Sequence, residues 1–309
     1  MNMENNNQRE NHLQRVIFFV EENNRQYWEQ EIPEAVLELS KFGIEAQLCQ
    51  VMENDRETDA AAVFFDALNT NEQGGEAQKS LSKTLFLTDS AYLYGRILKK
   101  GGYAAGYLHG GNRNEQFRGA AYLIAEPQYV DEDSWQKIYE RLAGLPWTIL
   151  ETKRCIIREL TIEDLDALYE LYDDTDSKRF LQPLSGDKGK ERELLRAYIE
   201  KVYSLYGYGY WAVISKEDGR MIGRAGFSPY AEENEDASLG YVIHRDYRQK
   251  GYALEVCGAI KEHAAELLGF TRIGAVTHAD NRASRKLLAG IGFDLDKEEE
   301  GLCHYIYEP

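Results

Sequence analysis

Between Tyr241 and Ala253 the chain reads Tyr-Val-Ile-His-Arg-Asp-Tyr-Arg-Gln-Lys-Gly-Tyr-Ala: an apolar strand end, a polar turn, then a helix start. Few segments constrain a fold so tightly, because the backbone leaving Tyr241–Ile243 must turn sharply to enter a helix at Tyr252. Gly251 and the small Ala253 let peptide N–H groups come close to a ligand there. A helix opening at Tyr252 aims its unpaired amides and positive dipole end at the same point, which suits a diphosphate. Arg248 and Lys250 add cationic donors. Taken alone, Arg-x-x-Gly-x-Ala also describes an ordinary strand-to-helix turn with surface charges, so the flanks decide.

Upstream lie Trp211–Ile214, Met221–Phe227 and Ser238–Ile243, short apolar strands joined by Lys216-Glu217-Asp218-Gly219 and the polar run Ala231–Asp236. They predict an antiparallel meander. Downstream, Leu254, Cys257, Ile260, Ala264 and Leu267–Leu268 recur at helical spacing until Gly269. Arg272–Val276 predicts a further strand, and Asn281 opens a short helix ending at Gly290.

In this order and spacing the carboxy-terminal half resembles the GNAT (Gcn5-related) N-acetyltransferases, nearest the branch that acetylates ribosomal-protein N-termini. The residues carrying the resemblance are Arg158-Glu159-Leu160-Thr161-x-Glu163-Asp164, Gly240-Tyr241-Val242-Ile243, Arg248-x-x-Gly251-x-Ala253, and Asn281-x-x-Ser284 with Gly292-Phe293. The resemblance runs from Arg154 to about Tyr307. It implies acetyl-CoA as cofactor and direct attack of a primary amine, on a small molecule or a protein N-terminus, on the thioester. It implies that Tyr241, Val242 and Ile243 border a gap between two splayed parallel strands, where main-chain groups of Val242 and Ile243 pair with the pantetheine arm. A free amide there stabilises the developing oxyanion. The turn Arg248, Gln249, Lys250, Gly251, Tyr252, Ala253 takes the pyrophosphate, and Asn281 and Ser284 contact the arm. Asn281 also reads as a plain helix cap.

Two positions depart from the family pattern. Ser238 stands where many members carry a glutamate base, and Leu288 where many carry a tyrosine that protonates the thiolate. Asp236 and Tyr305 are the candidate substitutes, with His278 and His304 behind them. General-base help is worth roughly 10²–10⁴-fold. Its loss weighs less on an α-amine (pKa about 7.7–8.0) than on a lysine (about 10.4).

The 309 residues suggest two domains, and the net charge of −17 is spread over both halves. That excludes the basic face of a nucleic-acid binder. Four scattered cysteines follow no disulfide or metal spacing, a reducing cytoplasm fits, and no metal site is expected. Apolar runs such as Val16–Val20 are too short to span a bilayer. The expected organisation is a polar tail at 1–11, an α/β Rossmann-like domain at 12–150 and a GNAT mixed-sheet domain at 151–309; an oligomer is compatible with it. The fold class is α/β in both.

In the first half, strands at Arg15–Val20, Ala46–Val51, Leu85–Thr88, Ala104–Leu108 and Ala120–Ala125 alternate with helices at Pro33–Phe42, Asp89–Lys100 and Asp131–Leu142, which argues for a parallel sheet. Thr84–Ser90 followed by a helix and Gly101-Gly102 faintly resembles haloacid dehalogenase-like proteins. Glu21-Glu22-Asn23-Asn24 after the first strand lacks their Asp-x-Asp nucleophile. Asp89, Ser90 and His109-Gly110-Gly111-Asn112 either line a pocket or form a capped helix start and loop. Three functions follow: an acetyltransferase, a non-catalytic acyl-CoA sensor, and a bifunctional protein with a phosphatase-like first half.

Overall fold

The computed structural model describes residues 12–51, 82–229 and 234–309. The expected tail at 1–11, the segment Ala60–Leu68 and the polar loop Asn69–Ser80 lie outside them. The chain divides into two compact units, Met1–Leu145 and Pro146–Pro309.

The first unit runs β1 (Arg15–Glu21), α1 (Arg25–Trp28), α2 (Glu31–Lys41), β2 (Glu45–Val51), β3 (Thr84–Thr88), α3 (Ala91–Lys99), β4 (Tyr103–Tyr107), β5 (Leu123–Ile124) and α4 (Glu132–Leu142). Its sheet is parallel throughout, in the order β2-β1-β3-β4-β5. Alternate residues of β1 and β3 serve opposite faces. Val16, Phe18, Val20, Leu85 and Leu87 pack with Trp28, Ile32, Leu39 and Trp135, whereas Ile17, Phe19 and Phe86 pack with Leu93 and Ile97. Burial on both sides is why these strands read as unbroken apolar runs. β5 is shorter than the run Ala120–Ala125 suggests, because the Ala120 amide closes a turn onto the Phe117 carbonyl.

The second unit comprises β6 (Thr148–Glu151), β7 (Cys155–Arg158), α5 (Leu165–Asp173), α6 (Thr175–Phe180), α7 (Lys188–Tyr206), β8 (Tyr210–Ser215), β9 (Met221–Ser228), β10 (Ala237–Ile243), α8 (Tyr252–Leu267), β11 (Ile273–His278), α9 (Arg282–Gly290), β12 (Asp294–Glu299) and β13 (Leu302–Tyr307). The eight strands order as β12-β13-β11-β10-β9-β8-β7-β6. Only β10 and β11 run parallel; every other pair is antiparallel. β6 pairs with β7 as the edge strand, so this unit begins at Pro146, ahead of the expected start at 151.

Two apolar clusters separate the faces of this sheet. On one face Trp211, Phe227, Ile273, Ala275 and Tyr305 meet Val256, Cys257 and Ile260 of α8 and Leu288 of α9. On the other, Ala212 and Val242 meet Leu165, Leu168 and Leu171 of α5 and Leu195 of α7. Among the described residues no helix is long and apolar enough to cross a membrane.

Candidate active site

β10 and β11 begin side by side, Ala237 against Ile273 and Ser238 against Gly274, and then part. Each continues with its outer neighbour, β10 along β9 to Ile243 and β11 along β13 to His278. From Leu239 onward one main-chain edge of β10 therefore borders a gap. The His244 amide donates to the Ile222 carbonyl at 2.8 Å. By the alternation of antiparallel pairing, Val242 bonds to β9 while the backbone groups of Tyr241 and Ile243 turn toward the gap. Sequence reasoning gave that edge to Val242 and Ile243. The register gives it to Tyr241 and Ile243 and sends the Val242 side chain into the α5/α7 cluster.

The turn that follows alternates its backbone hand. Gln249 (φ +59°) and Gly251 (φ +81°) are left-handed, and Lys250 between them is not. Such alternation points successive N–H groups into one concavity. Among the described residues, the amides of Gln249, Lys250, Gly251, Tyr252 and Ala253 have no acceptor, and the first helical bond is Glu255 N–H to the Gly251 carbonyl.

Side chains brace this turn from behind. Arg248 donates through Nε to the Ile243 carbonyl (2.8 Å) and through its two terminal nitrogens to Asp174 (3.1 and 2.6 Å). Arg154 donates to the Lys250 carbonyl (2.9 Å) and to Glu255 (2.6 Å), and stacks on Tyr252 at 4.1 Å. Arg248, expected as an anion donor, thus spends its hydrogen bonds on protein and fixes the loop. The Lys250 ammonium lies over the Tyr247 ring at 5.5 Å.

Residues 154–294 match the family described as Acetyltransferase (GNAT) domain. Over 163 residues the chain is 30% identical to the N-acetyltransferase YoaA of Bacillus subtilis, itself uncharacterised, covering 52% of this chain and 89% of the relative. The chain belongs to the GNAT acetyltransferase family. The uncharacterised N-acetyltransferase p20 of Bacillus licheniformis is 29% identical over 156 residues, covering 50% of this chain and 84% of that protein. Among solved structures, an acetyltransferase from Agrobacterium tumefaciens (22% identity, TM-score 0.45) covers 52% of this chain and 94% of its own. A ribosomal-protein-S5-alanine acetyltransferase from Vibrio fischeri (16% identity, TM-score 0.46) covers 52% and 95%. The family match starts at residue 154 and leaves the amino-terminal unit uncovered, so the haloacid dehalogenase-like resemblance gains no support.

The cofactor of this GNAT enzyme is acetyl-CoA. The residues present fit it: a concave row of unpaired amides stands at the head of α8, beside a strand edge that pairs with no other strand and whose Ile243 carbonyl is held by Arg248. Asn281 caps α9, accepting from the Ser284 amide at 3.1 Å, so its side-chain oxygen serves the helix. The Ser284 hydroxyl bonds the Tyr241 phenol. Burial pushes that phenol up to about 12 and the hydrogen bond opposes the shift, so Tyr241 keeps its proton at neutral pH.

The two residues expected to replace the family's acid and base are placed elsewhere. The Asp236 carboxylate accepts from the amides of Thr271 (2.6 Å) and Arg272 (2.9 Å) and from the Thr271 hydroxyl (3.2 Å). Those bonds hold it below the usual carboxylate range, the reverse of what a base needs near neutrality. Asp236 ties down the start of β11. Tyr305 is buried opposite Ala275 and accepts from Arg285 at 3.3 Å, on the α8/α9 face. Leu288 is core, packed on that same face.

Glu235 escaped sequence reasoning. On β11, Ile273 and Ala275 face the α8/α9 cluster, so Gly274 faces the opposite side, as do the exposed Val276 and His278. A Cβ on Gly274 would lie 1.9 Å from a Glu235 carboxylate oxygen. The carboxylate therefore rests on Gly274, beside the paired Ser238, where β10 and β11 begin to part. No local pattern betrays this, since the acidic residue and its glycine seat are far apart in sequence.

In the amino-terminal unit, the polar cluster at the carboxyl ends of β1, β3 and β4 is closed by its own hydrogen bonds. Asp89 accepts from the Glu21 amide (3.0 Å), Asn24 Nδ2 (2.8 Å) and His109 Nε2 (3.3 Å). Asn112 donates to the carbonyls of Asp89 (2.9 Å) and Tyr107 (2.7 Å) and accepts from the His109 amide (2.8 Å). Among the described residues no cluster could hold a metal ion. Asp89→Asn turns one acceptor into a donor inside this closed network. It should lower the stability of the unit by about 1–3 kcal/mol in urea unfolding. An unchanged midpoint would show that the network is not a structural latch.

Proposed function

We propose that this chain is an acetyl-CoA-dependent N-acetyltransferase acting on a primary amine, with Glu235 as the proton acceptor. The observation that carries the reading is the row of unpaired amides from Gln249 to Ala253, facing outward beside the free edge of β10. The amides of Gln249, Lys250, Gly251, Tyr252 and Ala253 take the diphosphate, and the main-chain groups of Tyr241 with the Ile243 amide align the arm. When bound, acetyl-CoA supplies an activated acetyl group whose C–S bond is exchanged for a C–N bond at the amine. Glu235, seated on Gly274, takes the ammonium proton. Tyr241 holds a proton at Oη beside Ser284 and serves as the proton source on the opposite side of the gap.

A non-catalytic sensor would share the binding surface and needs no carboxylate at Gly274. The deciding experiment incubates the full chain with labelled acetyl-CoA and a panel of amines, peptides and cell extract, with acetylated products read by mass spectrometry. Acetyl-CoA-dependent product is expected. Tight binding with no product across the panel would favour the sensor.

A further inference from the structure

The α5/α7 face of the second sheet carries a half-buried cation with, among the described residues, no anion paired to it. Arg224 stands on β9 opposite Val242. Its Nη1 donates to the Tyr172 phenol at 3.0 Å, and the guanidinium lies 4.5 Å from the Tyr210 ring centre and 5.7 Å from that of Tyr198. Nε is buried without an acceptor, and the groups acting electrostatically on Arg224 are phenols. Nearby carboxylates are engaged elsewhere: Asp174 with Arg248, Asp164 with Arg158, and Glu170 with Arg220. An arginine cannot shed its proton, and ring faces with the phenols of Tyr172 and Tyr198 offset only part of the cost of drawing its charge partly out of water. Such a site is completed by an incoming anion.

Its position says which anion. Tyr210, Gly226 and Gly240 form one row across β8, β9 and β10. A Cβ on Gly240 would lie 2.5 Å from the Tyr210 hydroxyl. The phenol therefore crosses bare backbone to stand over β10, next to Tyr241 at the gap. A cleft of about 640 Å³ opens beside Tyr172, its lining carrying charges of both signs in Asp166, Glu170, Asp173, Lys178 and Lys188. The cation thus sits on the face where Glu235 rests, beside the strand that borders the gap. A chain with a net charge of −17 repels anions in general, so a local cation screened by phenols is the means of admitting one.

We infer that the acetyl acceptor is an amine that also carries a carboxylate, and that Arg224, flanked by Tyr172 and Tyr210, binds that carboxylate. This rests on the acyltransfer reading above. The shared chemistry has two sources, the α-carboxylate of a free amino acid or an acidic side chain near a peptide N-terminus.

The test uses matched pairs: free amino acids against their amides, and peptides beginning with Asp or Glu against those beginning with Asn or Gln. In one of the two kinds of pair we expect kcat/KM to favour the carboxylate member by about 10- to 100-fold, mostly through KM; the kind showing it identifies the source. Arg224→Met should abolish the preference while stabilisation by acetyl-CoA persists, which also shows that the variant is folded. The same pairs are compared by thermal shift in the presence of CoA, a readout that needs no turnover. Equal treatment of both members by the wild-type chain in both assays overturns the inference, as does a preference that survives Arg224→Met. Loss of acetyl-CoA stabilisation in the wild type would instead sink the acyltransfer reading.

Discussion

Acetyl-CoA at about one hundred times its dissociation constant should stabilise the wild-type chain by about 2.7 kcal/mol, and Gly251→Asp should lose that stabilisation. For a folded unit of this size the difference corresponds to roughly 5–10 °C in melting temperature. The choice of aspartate follows from the geometry. Gly251 has φ +81°, a region that aspartate tolerates better than most side chains, and a Cβ there meets only Arg154, at 3.5 Å. The ligand-free variant should therefore fold, melting a few degrees below the wild type for the left-handed strain of about 1–2 kcal/mol. Its carboxylate, however, stands among the amides from Gln249 to Ala253, where it repels a diphosphate and competes for the same donors. Differential scanning fluorimetry with and without acetyl-CoA reads both quantities at once. A full ligand shift in Gly251→Asp would mean that the phosphates bind elsewhere.

Glu235→Gln should cut kcat/KM by about 10²–10⁴-fold without weakening acetyl-CoA binding. A carboxylate base is lost as pH falls through its pKa, so the wild-type rate should decline on the acid side. In Glu235→Gln that decline should be absent, leaving only the ionisation of the amine. The penalty should be larger for a lysine-like acceptor than for an α-amine, whose lower pKa leaves more free base at neutral pH. Gly274→Ala supplies an independent handle: its methyl group would occupy the seat of the carboxylate, and the tip of a flexible side chain moves aside at little cost to folding. It should lower the rate in the same direction as Glu235→Gln. Retention of both the wild-type rate and its pH profile in the two variants would remove Glu235 from the mechanism.

Much of this architecture was legible in the chain because the signals are local. The meander leading to β10, the amphipathic α8 and the stop at Gly269 follow from spacing within single elements. The turn at Gly251 was also readable, since a left-handed glycine before a helix leaves a recognisable pattern. In the first unit, the unbroken apolar runs Val16–Val20 of β1 and Leu85–Leu87 of β3 announced a doubly covered parallel sheet.

What sequence could not supply are the relations between distant segments. Whether Arg248 meets an anion or Asp174 depends on where the end of α5 falls, 74 residues away in the chain. Asp236 looks like a free acid until folding brings it against the amides of Thr271 and Arg272. Glu235 becomes a candidate base only because β11 presents a bare glycine beneath it, and Arg224 becomes conspicuous only once three tyrosines and, among the described residues, no carboxylate surround it. Residue type and spacing determined the family, the two α/β units and the turn at Gly251, since hydrogen-bond geometry and side-chain periodicity act within a few residues. Tertiary structure alone decided which charged groups are already satisfied by the protein and which remain for chemistry. That accounting depends on who lies within about 3 Å of whom, which a linear order of residues does not encode.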